Sequence, residues 1–346
     1  MTRPAQTTPR PSLIPLVIAI AAFAAPALAA SSSAQIVLEN ESVHVVIDPA
    51  VGRVLEFIPK AEPARNTLWV NTPEARAAEA AQAGYQNWGG DKVWPSAQSF
   101  WRYAAGRVWP PDEATDGAEA RAEKLSPLRA RLVFPESAAF HSRLVREFEL
   151  DATRPVLTIH NRITQLRASP FPAQAWGVTQ VPLPERVLFG IAAARHSGIA
   201  QPVNMNAIRA KPPFGPVEFA SGSVASGEGW VSLRPAPGTQ KKAGALGCWL
   251  AGVWPDGILL QAIAFDPGGL YPEAASLQFY HDDRYGEIET LGPARLLKPG
   301  ETLNTVVIWQ WLPASASGLP DDALARRLAA AAAELAPPVT TLTTDN

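Results

Sequence analysis

Two acidic side chains stand two residues apart in "GEIETL", Glu287 and Glu289, with Ile288 between them. In an extended strand such a pair shares one face while the intervening residue takes the other. Carboxylates so paired can act as a general base or grip the hydroxyl groups of a ligand. A second concentration of chemistry lies in "YQNWGGDKVWPSAQSFWRYAAGRVWPPDEATDG", which carries Trp88, Trp94, Trp101 and Trp109, four of the eleven tryptophans. Indole faces suit stacking on the C–H face of a ring, and Asp, Lys and Arg add directional hydrogen bonds. Trp94 and Trp101, beside Asp91, Lys92 and Arg102, are the expected ligand contacts, together with Asp112 and, at second rank, Trp176 in "AWGVT". Gly89-Gly90 reads as a reversal that lets Asp91 and Lys92 project together. Trp109, between Val108 and Pro110-Pro111, reads as packing.

Other chemistries find little support. The five histidines, His44, His141, His160, His196 and His281, are scattered without zinc-ligand spacing, so no metal and no cofactor is expected. His281-Asp282-Asp283 reads as a solvated loop. There is no G-x-S-x-G elbow and no Gly-rich phosphate loop. The one cysteine, Cys248, lies in the apolar run "LGCWLAGVW" and reads as a buried small hydrophobe.

Positioning these groups requires strands. Period-two alternation runs through "SVHVVID" and "RVLEFI", joined by "DPAVG" as a hairpin, with Arg53, Leu55 and Phe57 expected on one face. It continues in "RLVREFEL" and "VLTIHNRITQL", then in "AWGVTQVPL", "GWVSLR", "GCWLAGVW", "GILLQAIAF", "LQFYHD", "GEIETL" and "TVVIWQWL", where Trp309 and Trp311 read as core. Short strands separated by Gly, Pro, Asn and Asp indicate an all-β sandwich, and the 34 prolines require long loops. In such a sheet Ile288 points inward and both glutamates point to the open face. One clear helix closes the chain in "LPDDALARRLAAAAAEL", with Leu324, Leu328, Ala332 and Leu335 at helical spacing; a shorter one begins at Thr72. No repeat or Gly/Ser linker divides the chain.

Arg3 and Arg10, the apolar run from Leu13 to Ala25 and "ALA" at Ala27 to Ala29 have the layout of a secretory signal peptide over residues 1–29. The domain organisation expected is therefore a signal peptide, a β-sandwich domain over 30–318, and a C-terminal helix and tail over 319–346 packed on it. The product would be periplasmic or secreted, with no integral membrane segment after signal removal. The formal net charge of -2, more negative without the leader, suggests no nucleic-acid partner. Nothing in the residues indicates an oligomeric state.

In order along the chain, "VHVVIDPAVGRVLEFI", "NTLWVN", "GGDKVWPS", "WPPD", "PAQAWGVTQVPLP", "LYPE" and "EIETLGPARLLKPGE" resemble the bacterial domain of unknown function 4380 family, within the galactose-mutarotase-like superfamily. The resemblance runs from about Val43 to Trp311. It implies a galactose-mutarotase-like β-supersandwich whose concave face binds carbohydrate. It also implies a catalytic glutamate followed by Leu-x-Pro-Gly-Glu and a terminal strand, and Glu289 matches that glutamate. A mutarotase needs an acid opposite its base. The histidine motifs that supply it in the superfamily are missing here, which leaves His281, Asp91 and Lys92 as candidates and Glu287 as a ligand contact. The functional expectation is an exported sugar mutarotase or epimerase-like enzyme; the alternative is a non-catalytic glycan-binding or cell-envelope scaffold protein. A lyase acting on uronic-acid polymers lacks a Tyr/His/Arg constellation.

Overall fold

The alternating segments form strands throughout a computed structural model that describes residues 34–61, 65–191, 203–204, 224–236 and 241–344. The expected signal peptide and His196 lie outside the described residues. In chain order the first strands are β1 (Ile36–Glu39), β2 (Val43–Asp48), β3 (Arg53–Pro59), β4 (Asp91–Trp94), β5 (Arg121–Ser126), β6 (Arg129–Ser137) and β7 (Ser142–Leu150). They are followed by β8 (Val156–Gln165), β9 (Trp176–Val181), β10 (Arg186–Ile191), β11 (Val203–Asn204), β12 (Val224–Gly227), β13 (Trp230–Leu233) and β14 (Lys241–Ala245). The last are β15 (Gly247–Trp254), β16 (Gly257–Ile263), β17 (Leu277–His281), β18 (Gly286–Leu291), β19 (Glu301–Pro313) and β20 (Thr341–Thr344).

They assemble into two antiparallel sheets. One has nine strands in the order β1-β2-β3-β4-β9-β18-β17-β14-β11. The other has the order β12-β13-β10-β15-β16-β19-β8-β7-β6-β5, with β20 added beside β19. Between them the facing side chains of both sheets form one apolar layer that includes Val45, Phe57, Val93, Ile288, Phe148, Leu250 and Trp309. Trp309 and Trp311 are core residues, as their alternation indicates.

The helix α3 (Asp321–Leu335) lays Leu324, Ala325, Leu328 and Ala332 on the far face of the second sheet, against Leu188, Trp249, Val253 and Leu260. Asp321 and Asp322 occupy its first turn, where the helix dipole favours them. The shorter helix α1 (Pro73–Ala83) begins where its sequence indicates: Thr72 Oγ1 accepts from the Ala75 amide at 3.2 Å.

Two expectations fail, each at a bulge. Val46 pairs with Glu56 but Ile47 pairs with Val54, so Leu55 is an extra residue in β3. The bulge turns Val54 and Phe57 toward the inter-sheet core together and puts Arg53 on the opposite face, away from Phe57. Similarly, Gly190 pairs with Trp249 and Ile191 with Gly247, leaving Cys248 unpaired. Its side chain is exposed rather than buried.

Candidate functional site

The register of the nine-stranded sheet decides what Glu287 and Glu289 meet. Across β18 and β9, Glu289 lies opposite Val178 and Glu287 opposite Gln180; across β18 and β17, Glu289 lies opposite Gln278 and Glu287 opposite Tyr280. Directly opposed residues share a face. Continuing outward, Lys92 pairs with Val178, Trp94 with Trp176, and Lys242 with Tyr280. The face turned away from the second sheet thus carries Lys92, Trp94, Trp176, Gln180, Lys242, Gln278, Glu287 and Glu289. Ile288 points inward, as expected. The glutamates do face away from the core, but the face is not open: Glu289 has 0% exposure, while Glu287 keeps a partial opening.

Glu289 Oε2 accepts from Trp176 Nε1 at 2.8 Å and forms an ion pair with Lys242 Nζ, also at 2.8 Å. The same ammonium sits 4.8 Å from the Trp176 ring centroid. Glu287 Oε1 accepts from the neutral Gln180 amide at 2.9 Å. Burial, with Glu289 adding repulsion against the pull of Lys92 and Lys242, pushes the Glu287 carboxyl up to about 7.

Beside the pair stands a second charged group built on the tryptophan-rich loop. Thr115 and Asp116 donate their amides to the Asp112 carbonyl at 3.1 and 3.0 Å, a turn that delivers Asp116 inward. Asp116 ion-pairs with Arg53, accepts from Trp94 Nε1 at 2.8 Å and from the Tyr85 hydroxyl at 3.3 Å, and lies 3.9 Å from Lys92 Nζ. Burial opposes its charge, but Arg53 and then Lys92 outweigh that and hold the carboxyl below the usual range. Burial lowers Lys92, only partly offset by Asp116, and pushes Tyr85 well above a free phenol.

Several expected site residues go elsewhere. Asp91 and Lys92 do not project together, because adjacent strand residues alternate. Asp91 faces the second sheet, ion-paired with Arg146 of β7 and accepting from Thr179 Oγ1 at 2.7 Å. His281 pairs with Gly286, one step out of phase with Glu287, and so lies on the inner face, stacked on Phe279 with ring centroids 5.9 Å apart. Neither is placed to be the acid across from Glu289. Arg102 is exposed on the short helix α2 (Trp101–Ala104). Asp112 Oδ1 accepts from the Ala114 amide within its turn, burial raises its carboxyl, and it does not join the glutamates.

Trp94 and Trp101 are 5% and 2% exposed, packed edge to face at 4.9 Å in a cluster with Trp176, Phe140 and Leu291. They are a buried wall beneath the site rather than free stacking surfaces. Trp109 joins the same cluster from its edge.

Sequence reading passed over Gln180, Gln278, Lys242, Arg53, Tyr85 and Asp116. Gln180 and Gln278 were recoverable, since both fall in register within alternating runs already recognised as strands. Lys242 lies in "KKAGA", a strand without hydrophobic alternation, and Arg53 was hidden by the bulge at Leu55. Tyr85 and Asp116 arrive through loop folding, which leaves no periodic trace.

Solved structures share this architecture. A galactose mutarotase-like protein from Lactobacillus casei ATCC 334 is 13% identical, with 80% of this chain and 100% of that chain covered at a TM-score of 0.54. An Escherichia coli K12 protein provisionally described as an aldose 1-epimerase is 12% identical, with 81% and 99% covered at 0.53. The fold is the galactose-mutarotase-like β-sandwich. At these identities the likeness is one of fold. No protein-family model matches the chain, and no curated protein matches it in sequence. Among the described residues no helix is long and apolar enough to cross a membrane, and no three His, Cys, Asp or Glu come together as a metal-ligand set.

Proposed function

We propose that this face of the nine-stranded sheet binds a carbohydrate and interconverts its anomers, with Glu289 as the general base. One observation carries the reading. Glu289 Oε1, Gln180 Oε1 and both amide atoms of Gln278 are buried on this one face without a hydrogen-bond partner among the described residues. Buried polar atoms left unpaired are costly, and a set of them on neighbouring strands of one face marks the place of a partner that both donates and accepts. Sugar hydroxyls do both. The ordered motifs that lead to Glu289, the neighbours' mutarotase-like fold and the 2.8 Å contact that holds its carboxylate against Lys242 support the role of base. The same motifs underlie membership in the domain of unknown function 4380 family, and residues 1–29 act as the export signal in this reading.

Polarimetry of freshly dissolved α-D-glucopyranose and α-D-galactopyranose tests the activity. The expected result is a catalysed approach to the anomeric equilibrium that falls about 10²–10⁴-fold in Glu289→Gln. An unchanged rate in that variant overturns the assignment. Export is checked by fractionation: the chain should be recovered from the periplasm or medium with its new N-terminus near Ala30, and retention of Met1 in the cytoplasm refutes it.

A specific observation also favours binding without chemistry, namely that Glu289 is fully enclosed and tied to Lys242 and Trp176. In that case a glycan binds, no anomer is turned over, and Glu289→Gln leaves affinity unchanged.

A further inference from the structure

An anomer-interconverting site needs an acid as well as a base, and the residues expected to supply it are elsewhere. His281 and Asp91 face the other sheet. Lys92 directs its ammonium to Asp116 at 3.9 Å and lies 5.2 Å from the Trp94 ring centroid. Lys242 is bound to Glu289 itself. Around Glu287 the facing titratable groups are Lys92 from β4, Glu289 on its own strand, Lys242 from β14, Tyr280 from β17, Tyr285 just before β18, and Tyr85 from the loop. None of the cations is within salt-bridge distance of Glu287, whose one hydrogen bond named above comes from a neutral amide. Its Cα lies two strand residues from that of Glu289, about 6–7 Å along the same face. Unlike Glu289, it retains access to solvent for exchange of a proton.

From this placement we propose that Glu287 is the proton donor of the site, handing its carboxyl proton to the ring oxygen of a pyranose as Glu289 takes that of the anomeric hydroxyl. The proposal rests on the reading of Glu289 as the base. In the step, the bond from the anomeric carbon to the ring oxygen breaks, the anomeric oxygen becomes an aldehyde carbonyl, and the ring oxygen becomes a hydroxyl. One proton leaves Glu287 and one arrives on Glu289, so no other reactant is needed. Rotation of the aldehyde and reversal of both transfers close the ring on its opposite face and restore each carboxyl. Environment divides the roles: Glu289 is tied to an ammonium and an indole N–H, while at Glu287 burial, with repulsion from Glu289, favours the protonated form against the pull of Lys92, Lys242 and the Gln180 amide.

The test is the pH dependence of kcat for α-D-galactopyranose and α-D-glucopyranose in wild type, Glu287→Gln, Glu287→Asp and Glu289→Gln. In the wild type kcat should fall as pH rises through about 7. Glu287→Gln should lower kcat about 10²-fold, shift KM less than about 3-fold and abolish that alkaline limb. Glu287→Asp, which keeps an acid, should retain the limb at reduced kcat and covers the case in which the Gln variant does not fold. A folded Glu287→Gln enzyme with wild-type kcat and an intact limb overturns the proposal while the base assignment stands, as does a Glu287→Asp enzyme without the limb. Wild-type protein that turns over neither sugar, or a fully active Glu289→Gln, removes the base reading and the donor with it.

Discussion

At the residue scale, the site is a balance of buried charges rather than a row of exposed contacts. Arg53, Lys92 and Lys242 oppose Asp116, Glu287 and Glu289 on one sheet face, and any one of them unpaired would be costly. Glu287 is the least compensated. Its ordinary value of 4.5 rises to about 7 on folding, so between these limits the folded chain holds a proton that the unfolded chain has released. The sign follows from linkage: this contribution to stability is complete below about pH 4.5 and is lost as pH rises through about 7. Chemical denaturation between pH 4.5 and 7.5 should therefore show a fall in the Glu287 contribution that Glu287→Gln removes, leaving a flatter profile. An identical slope in both proteins would mean that Glu287 is ionised throughout.

At the element scale, one glycine pair and one bulge aim the site. Gly89 and Gly90 have φ of +80° and +68°, and a Cβ on Gly90 would collide with the Val54 carbonyl oxygen. The Gly90 amide donates to the Trp69 carbonyl at 2.8 Å and its own carbonyl accepts from the Gln180 amide at 2.9 Å, which ties the Trp69 segment to β9 just before Lys92. Replacing Gly90 by Ala should cost about 2–4 kcal/mol in urea unfolding, from left-handed strain and the backbone clash together. A loss below about 0.5 kcal/mol would show that this junction relaxes freely. Alternation made the strands legible, including the inward turn of Ile288 and the core placement of Trp309. It could not reveal the extra residue at Leu55, because a bulge changes phase without changing composition.

At the scale of the whole molecule, the two sheets share one core, and α3 seals the apolar far side of the second sheet. The outer face of the nine-stranded sheet, by contrast, collects Glu287, Glu289, Lys92 and Lys242, and it is there that the proposed chemistry is placed. The amino-acid sequence alone determined the all-β class, most strand positions, the closing helix and the pairing of Glu287 with Glu289. Those features follow from local periodicity, and each is written within a few consecutive residues. Only tertiary structure decided which side of the sheet Asp91 and His281 take, that Trp94 and Trp101 are buried under the site, and that Lys242, Arg53 and Asp116 come to the carboxylates. The reason is physical: strand register, bulges and loop closure join residues far apart in the chain, and no local pattern encodes the partner a charge will meet once water is removed.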